Sequence, residues 1–364
     1  MQRFWTFLAL VCVALWWLVL FGRLWILDKP GPDVPKRPRV PTFQGIFMML
    51  LIVITSYVYL PESVSFAVGT PFAGMLWWLV LIIVVNVIDE VGRNVNKKYR
   101  IPAWIRLLIQ AMAGVLAYAM SGVGIHSLVL PWWEIPLSTF SQIVFTVARF
   151  WLFCNAINWF DGIYGLATGT STLGFGMIAL LVQFVVLASF AVVTVARETL
   201  LHEVVVVSAI CAMVWLIYTV IEYKPWGLVR DVGTMGAWFV LAYLALLGGA
   251  KIGMMLVVLA LPLFDSVRVI INRLKEGKNP LKGDYTHLHY RLMALWWNRH
   301  EARATIWWWS IGIAIIMLLQ GTNRMDKLII FVLMAVFFFG INMYLFWFKK
   351  LPSSYMPQKH LSEI

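Results

Sequence analysis

Residues 139–162 read TFSQIVFTVARFWLFCNAINWFDG, and this stretch decides the class of fold. Its first 22 residues contain one charged side chain, Arg149. A bilayer core of about 30 Å is crossed by about 20 helical residues, so this run predicts a transmembrane helix. The run ends in Asn155, Asn158 and Asp161. A carboxylate at such a position is costly to keep beside lipid, so it marks a functional site by default.

The same pattern repeats along the chain. Of its 364 residues, 62% are hydrophobic and only 13% are charged, which is far more apolar than a soluble protein. We predict an all-α integral membrane protein with eleven transmembrane helices, ten being possible. A β-barrel would instead show short alternating segments. The apolar runs lie near residues 5–26, 44–60, 72–88, 102–120, 139–157, 163–186, 204–221, 235–249, 252–271, 304–320 and 328–347.

These runs leave little room for a separate soluble domain. We predict a single polytopic membrane domain over residues 1–348 and a short cytoplasmic tail over 349–364. The first run is too long for the hydrophobic part of a signal peptide and lacks a small-residue cleavage site. The polar loops that carry the chemistry lie near residues 27–43, 89–101, 222–234 and 272–303.

The distribution of charge predicts the orientation. Of the 29 Lys and Arg residues, 23 lie in one set of alternate loops, which the positive-inside rule places in the cytoplasm. The N-terminus is then outside and the C-terminus inside. The net charge of +12 does not indicate nucleic-acid binding, because the basic residues lie in short loops between spans and not on one amphipathic face.

Four polar segments come to this cytoplasmic face. Oxygen-rich clusters of this kind suit Mg²⁺, with Mn²⁺ possible, and nearby basic side chains suit anions. Together they favour phosphoryl or phosphosugar chemistry on a substrate that is part lipid and part water-soluble. The segments are Asp89-Glu90, Asn155 to Asp161-Gly162, Asp231, and Asp284 to His287 and His289; the basic residues include Arg93, Lys97, Arg106, Lys282 and Arg291.

Other classes of protein remain open at this point. Asp89-Glu90 alone could end a span, and His287-Leu288-His289 alone is a weak signal. A transporter or flippase would place its polar residues near the bilayer midplane and not at one face. A catalytically inactive relative that binds lipid or acts as a scaffold is the more serious alternative.

The segment from Asn155 to Asp161-Gly162 resembles the Asn-x-x-Asn-x-x-Asp-Gly signature of the polyprenyl-phosphate N-acetylhexosamine-1-phosphate transferases. The stretch from Pro262 to Leu292 is similar to the cytoplasmic loop of this family almost position by position. Ile88-Asp89-Glu90 resembles its paired-aspartate segment, and Arg230 to Thr234 resembles its Gly-Asp-x-Gly-Ser segment. The likeness covers roughly residues 28–320 and is greatest to the bacterial undecaprenyl-phosphate GlcNAc-1-phosphate branch.

The resemblance implies an Mg²⁺-dependent enzyme. It would transfer a sugar-1-phosphate from a UDP-sugar to undecaprenyl phosphate in the bacterial inner membrane, release UMP, and so begin lipopolysaccharide or teichoic acid synthesis. The phospho-MurNAc-pentapeptide transferases of peptidoglycan synthesis are the alternative within the same class. A homodimer is plausible by family likeness, and no nucleic acid is implied.

Residue roles follow from the same resemblance. Asp89, Glu90 and Asp161 would be catalytic, and Asp231 with Asn158 would bind the metal. The substrate would be held by Asn155, Tyr164, Lys97, Arg106, Asp284, His287, His289 and Arg291.

The sequence also departs from the family pattern at several positions. Glu90 stands where the family has a second aspartate, and Tyr164 stands at a position linked in the family to uracil recognition. Tyr164 could stack on a base or simply pack in the protein. The remaining departures are Gln44, Arg230 and the segment 221–227, which contains Glu222.

Overall fold

The structure is a computed structural model, which describes residues 2–23, 40–42, 44–95, 101–129, 132–187, 194–249, 260–279, 286–294, 298–320 and 324–347. Within these residues it contains twelve α-helices and one small hairpin. The helices are α1 Gln2–Arg23, α2 Gln44–Tyr59, α3 Ala73–Val95, α4 Ala103–Ser121, α5 Thr139–Phe160, α6 Leu166–Leu181, α7 Val195–Tyr223, α8 Arg230–Leu247, α9 Ala260–Lys275, α10 Leu288–Ala294, α11 Arg299–Gln320 and α12 Arg324–Trp347.

Helices occupy every predicted apolar run that the structure describes, so the prediction of an all-α membrane protein is confirmed at this level. Five helices are long and apolar enough to cross a membrane, and four further apolar stretches are shorter. The number of spans stays a prediction. Of the run predicted at 252–271, only the part from Ala260 onward lies within the described residues.

The run predicted at 163–186 ends in an irregular turn. Helix α6 is followed by a π-helical turn, Val182–Val186, and α7 begins at Val195. The hydroxyl oxygen of Thr194 caps α7 by accepting a hydrogen bond from the backbone N–H of Arg197, which satisfies one of the unpaired donors at the helix start. The two helices pack against each other along their length.

A short hairpin between α4 and α5 was not predicted. Strand β1, Ser127–Val129, pairs antiparallel with β2, Glu134–Pro136. Its strands are only three residues long, so the alternation that identifies a strand in a sequence is too brief to stand out from the neighbouring apolar runs. The turn exposes Trp132 and Trp133.

Helix α8 lies at the centre of the bundle and packs against α2, α3, α5, α6 and α7. Its Phe239 ring stacks on Trp78 of α3 with 3.7 Å between ring centroids. The indole N–H of Trp238 donates a hydrogen bond to Ser171 of α6 over 2.8 Å. Because its neighbours enclose α8 in this way, the residue at its first turn, Asp231, is held among several helix ends.

The crossing of α2 and α8 depends on two glycines. A β-carbon on Gly45 would lie 2.2 Å from the carbonyl oxygen of Val229 and 2.4 Å from the nitrogen of Gly233. Backbone therefore touches backbone here, which only glycine permits. This contact fixes the start of α8 against α2, and with it the position of Asp231.

Candidate active site

Two carboxylates from distant parts of the chain meet at one arginine. Nη1 of Arg106, on α4, lies 3.2 Å from Oδ2 of Asp231 and 3.7 Å from Oδ2 of Asp89. Asp89 is 1% exposed, and its Oδ1 accepts a hydrogen bond from the backbone N–H of Ile101 over 2.9 Å. Three of the predicted site residues, on α3, α4 and α8, are thus brought together at one end of the bundle.

Asn158 reaches the same helix end from α5. Its amide nitrogen donates a hydrogen bond to Oγ1 of Thr234 over 3.3 Å, and Thr234 lies one turn after Asp231. The amide oxygen of Asn158 accepts no hydrogen bond from the described residues. An amide oxygen and a carboxylate are ligands that suit Mg²⁺, which usually completes its octahedron with water and substrate phosphate oxygens.

The side chains present could hold such an ion only if water and substrate supplied most of its ligands. Within the part of the chain that the structure describes, no group of three His, Cys, Asp or Glu side chains is arranged to hold a metal. The Arg106 guanidinium occupies the space between the two carboxylates. A cation binding here would have to share these carboxylates with Arg106 and take its other ligands from solvent or substrate.

Asn155 is engaged in the packing of α4 against α5. Its amide nitrogen donates to Oε1 of Gln110 and to the carbonyl oxygen of Trp151, both over 2.7 Å. Gln110 in turn contacts the sulfur of Met235 on α8 over 3.4 Å. Sequence reasoning did not include Gln110 among the site residues, although it is a polar residue one turn after Arg106 in an apolar helix.

These side chains line a cavity of about 40 Å³, which is room for a few waters or an ion and too small for a nucleotide. Asp89, Asp161 and Asp231 are all absent from its lining, so the cavity joins residues of α4, α5 and α8 but is not lined by the carboxylates. Its lining consists of Arg106, Leu107, Gln110, Asn155, Asn158, Trp159 and Met235.

The histidine segment, residues 286–290, packs against Gly162, the residue after Asp161. A β-carbon on Gly162 would lie 2.0 Å from Nε2 of His289 and 2.6 Å from the hydroxyl of Tyr290. That hydroxyl donates a hydrogen bond to the carbonyl oxygen of Gly162 over 3.3 Å. The glycine of the Asp161-Gly162 pair therefore allows the histidine segment to lie directly against the end of α5.

His289 is fully buried, and neither ring nitrogen has a hydrogen-bond partner among the described residues. Burial, followed by the electrostatic interactions with His287 and Arg268, lowers the pKa of His289 to about 3 despite the nearby carboxylate of Asp265. The ring is therefore neutral at physiological pH. The parallel ring of His287 lies 5.8 Å away.

Arg291, on the same helix as His289, contacts α12. Its Nη1 donates to Oδ1 of Asn342 on α12 over 2.7 Å, and it is 4% exposed. Burial lowers its pKa to about 10, so it remains charged. The substrate-binding role predicted for Arg291 stays a prediction, while in the structure its contact ties α10 to α12.

Four of the departures from the family pattern, all except Glu90, lie close together. Tyr164 is 9% exposed and packs with Val40 and Leu228, which favours the packing interpretation of its ring over base stacking. The carboxylate of Glu222 accepts hydrogen bonds from the N–H of Val229 over 2.8 Å and from the Thr168 hydroxyl over 3.3 Å.

The other two departures, Gln44 and Arg230, lie at the same place, the segment of residues 228–230. The backbone N–H of Gln44 donates to the carbonyl oxygen of Leu228 over 3.3 Å. Arg230 follows Val229 with a φ of +57°, a left-handed conformation in which glycine is favoured and in which the family has glycine. Three altered positions, Tyr164, Glu222 and Gln44, therefore contact residues 228–230, and this segment contains the fourth, Arg230, immediately before Asp231.

Three predicted site positions are not described in full. Lys97 and Asp284 lie outside the described residues, and Glu90 belongs to α3 but its side chain is not described. A further carboxylate, Asp265, lies in the stretch from Pro262 to Leu292 but was not predicted as a site residue. It is 0% exposed and contacts His287.

Comparison with known proteins adds a family and several relatives. The model of glycosyl transferase family 4 matches residues 72–263. The chain is 23% identical over 351 residues to the undecaprenyl-phosphate alpha-N-acetylglucosaminyl 1-phosphate transferase of Yersinia pestis, covering 90% of this chain and 85% of the relative.

Two further relatives carry similar names. The protein of the same name from Escherichia coli strain K12 is 23% identical over 288 residues, which is 76% of this chain and 71% of the relative. A probable undecaprenyl-phosphate N-acetylglucosaminyl 1-phosphate transferase of Bacillus subtilis strain 168 is 25% identical over 271 residues, which is 70% of this chain and 67% of the relative.

Proposed function

The chain belongs to glycosyl transferase family 4, whose model matches more than half of it, and on this premise we propose that it transfers N-acetylhexosamine-1-phosphate to undecaprenyl phosphate. The donor would be a UDP-sugar and the second product UMP. The names of the relatives from Yersinia pestis and Bacillus subtilis support the acceptor and the sugar class.

The reaction exchanges one P–O bond for another. An oxygen of the lipid phosphate attacks the β-phosphorus of the donor, the bond from that phosphorus to the bridging oxygen breaks, and UMP leaves with the bonding electron pair. Transfer of this kind depends mainly on alignment and on neutralising the phosphate charges. Bound Mg²⁺, held by Asp231 and Asn158, would supply part of that neutralisation.

The described side chains would align the reactants and neutralise further phosphate charge. Arg106 holds the carboxylates of Asp89 and Asp231 at one point, and its guanidinium provides positive charge for a phosphate oxygen. Asp89 would orient the attacking lipid phosphate and accept its proton when that phosphate is protonated. The neutral ring of His289 would donate or accept a hydrogen bond without adding charge.

One observation carries this proposal: Arg106 connects the carboxylate of α3 to the carboxylate of α8 at the bundle end where α5 also ends. A carboxylate that only terminated a span would have no reason to meet a second one across 142 residues of sequence. The Asp89 side chain is also nearly fully buried, which is costly for a carboxylate without such partners.

The test is an assay of the purified protein with undecaprenyl phosphate, Mg²⁺ and a panel of UDP-sugars, in which release of UMP is measured. We expect release with a UDP-N-acetylhexosamine and its loss by a factor of at least about 100 in Asp231→Asn. The matched control is Glu203→Gln, which alters a carboxylate on α7 that accepts a hydrogen bond from Ser63 at the opposite end of the bundle.

Either of two results would overturn the proposal or part of it. No release with any donor would favour the catalytically inactive relative, for which the cluster of departures around residues 228–230 is the motivation. Full activity of Asp231→Asn would remove Asp231 from the metal-binding role while leaving the transfer reaction in place.

A further inference from the structure

Three consecutive residues of the histidine segment are held by one turn of α9. Arg268 donates a hydrogen bond to the carbonyl oxygen of Thr286, and Asp265 binds the next two residues. Its Oδ2 lies 2.8 Å from Nδ1 of His287, and its Oδ1 accepts from the backbone N–H of Leu288 over 2.9 Å. Each residue from 286 to 288 thus has its own bond to this pair.

The pair of Asp265 and Arg268 is itself buried. Arg268 Nη2 lies 2.8 Å from Asp265 Oδ1, and the two side chains are 6% and 0% exposed. Helix α9 also packs on α5, where the hydroxyl of Ser266 donates to the carbonyl oxygen of Ala156 over 3.4 Å. The carboxylate therefore occupies a fixed place relative to the end of α5.

The bonding pattern determines which nitrogen of His287 carries the proton. A carboxylate can only accept, so Nδ1 must donate to it. In the neutral ring Nε2 then has the lone pair, and it makes no hydrogen bond with any described residue. The ring is presented with its acceptor nitrogen free, next to the ring of His289 that lies on Gly162.

We propose that Asp265 is a positioning residue for the transfer reaction, which fixes His287 as the Nδ1–H tautomer so that Nε2 accepts a hydrogen bond from substrate. The expected effect of Asp265 on the rate of transfer rests on the proposed function. Its structural part concerns the tautomer of His287 alone and is tested separately.

The variant Asp265→Asn changes the tautomer with little change in shape. Oδ1 receives two donors, Arg268 and the N–H of Leu288, so the amide oxygen of asparagine must take that place. Its NH₂ group then faces Nδ1 of His287 as a donor. The ring can accept there only by moving its proton to Nε2, which removes the acceptor offered to substrate.

The first measurement is ¹⁵N NMR of protein labelled at its six histidines, with His287→Gln assigning the signal, at a pH where the ring is neutral. We expect the Nδ1–H tautomer in the unaltered protein and in Asp265→Glu, and the Nε2–H tautomer in Asp265→Asn. The control Glu203→Gln should leave the His287 signals unchanged, whereas those of the adjacent His202 can shift. An Nε2–H tautomer in the unaltered protein would overturn the proposal, even if Asp265→Asn did not fold.

The second measurement separates positioning from simple packing. Asp265→Asn should lower kcat about 100-fold with less than about a threefold change in donor KM. Because both act through one ring, the double variant Asp265→Asn/His287→Gln should lose no more than His287→Gln alone. Additive losses, or full kcat with a changed tautomer, would overturn the role in the reaction.

The two proposals fail in different ways. If the unaltered protein releases no UMP with any donor, the transfer function fails while the NMR result on Asp265 and His287 still stands. If UMP is released normally by Asp265→Asn, the transfer function stands and the positioning role fails.

Discussion

At the scale of single residues, Gly162 joins two parts of the site that are 127 residues apart in sequence. A methyl group there would overlap Nε2 of His289 and the hydroxyl of Tyr290, which are 2.0 and 2.6 Å from the β-carbon position. We expect Gly162→Ala to displace the histidine segment and lower kcat by about 10- to 100-fold, because small misplacements of catalytic groups have effects of this size. The rate of UMP release measures this loss of kcat.

The matched control for that change is Gly176→Ala. A β-carbon at Gly176, in α6, meets nothing within 4 Å, so the same substitution should leave kcat unchanged and favour the helix by up to about 1 kcal/mol. Equal activity of the two variants would mean that the contact between Gly162 and His289 is not needed for the reaction.

Arg230 gives a second prediction at this scale. Its φ of +57° costs a non-glycine residue about 1 to 2 kcal/mol. Arg230→Ala and Arg230→Gly remove the same charge, but only glycine removes the strain. We expect the free energy of unfolding of the glycine variant to exceed that of the alanine variant by about 1 kcal/mol, as measured by denaturant titration, or its melting temperature to be higher. Equal stability would contradict a strained backbone at this position.

At the scale of helices, α5 and α9 each carry a buried arginine with different surroundings. Arg149 of α5 is 5% exposed and bonds only the carbonyl oxygen of Ala242 on α8, with Nε and Nη1 unpartnered among the described residues. We expect Arg149→Met to be neutral or stabilising by up to about 4 kcal/mol, because it removes a buried charge without a counter-ion. Thermal unfolding in detergent measures the change.

Arg268→Met is the comparison for that prediction. Here the arginine pairs with the buried carboxylate of Asp265, and its removal would leave that charge uncompensated. We expect a loss of about 3 to 5 kcal/mol. If Arg149→Met destabilised the protein as much as Arg268→Met, then Arg149 would have a polar partner that the described residues do not provide, such as bound water or lipid.

Most helices could be predicted from sequence, because apolar runs of about 20 residues between polar loops leave few alternatives. The helix ends were less predictable: α5 extends to Phe160 and α7 begins at Val195, beyond the apolar runs at 139–157 and 204–221. Polar and charged residues continue these helices past the lipid-like part, and hydropathy does not register them.

The site was predictable in its membership and less so in its contacts. Asp89 and Asp231 could be predicted as site residues because a carboxylate beside an apolar run is energetically unfavourable. Their contact with Arg106 could not be predicted, because it depends on how three helices pack. The bond between Asp265 and His287 likewise joins residues 22 positions apart through a loop. Spacing along the chain carries no information on such contacts, since they are fixed by the packing of α8 and α9.

For the whole molecule, the polar groups of the site lie at one end of the bundle. Asp89 is 16 residues along α3 from Ala73, about 24 Å at 1.5 Å per residue. The loop before Ala73 includes the exposed residue Glu62, next to the Ser63 that bonds Glu203 of α7. Lys278, which follows α9, is exposed at the end of the bundle that carries Asp161 and His289.

The predicted orientation places Glu62 outside and Lys278 in the cytoplasm. We expect a membrane-impermeant maleimide to label Glu62→Cys in intact spheroplasts, and Lys278→Cys only after permeabilisation. Both variants would carry Cys12→Ala, because Cys12 is exposed whereas Cys154 and Cys211 are buried. The parent with Cys12→Ala alone should remain unlabelled. A nucleotide-sugar is multiply charged and does not cross a bilayer, so labelling of Lys278→Cys from outside would separate the site from a cytoplasmic donor and contradict the proposed reaction as well as the topology.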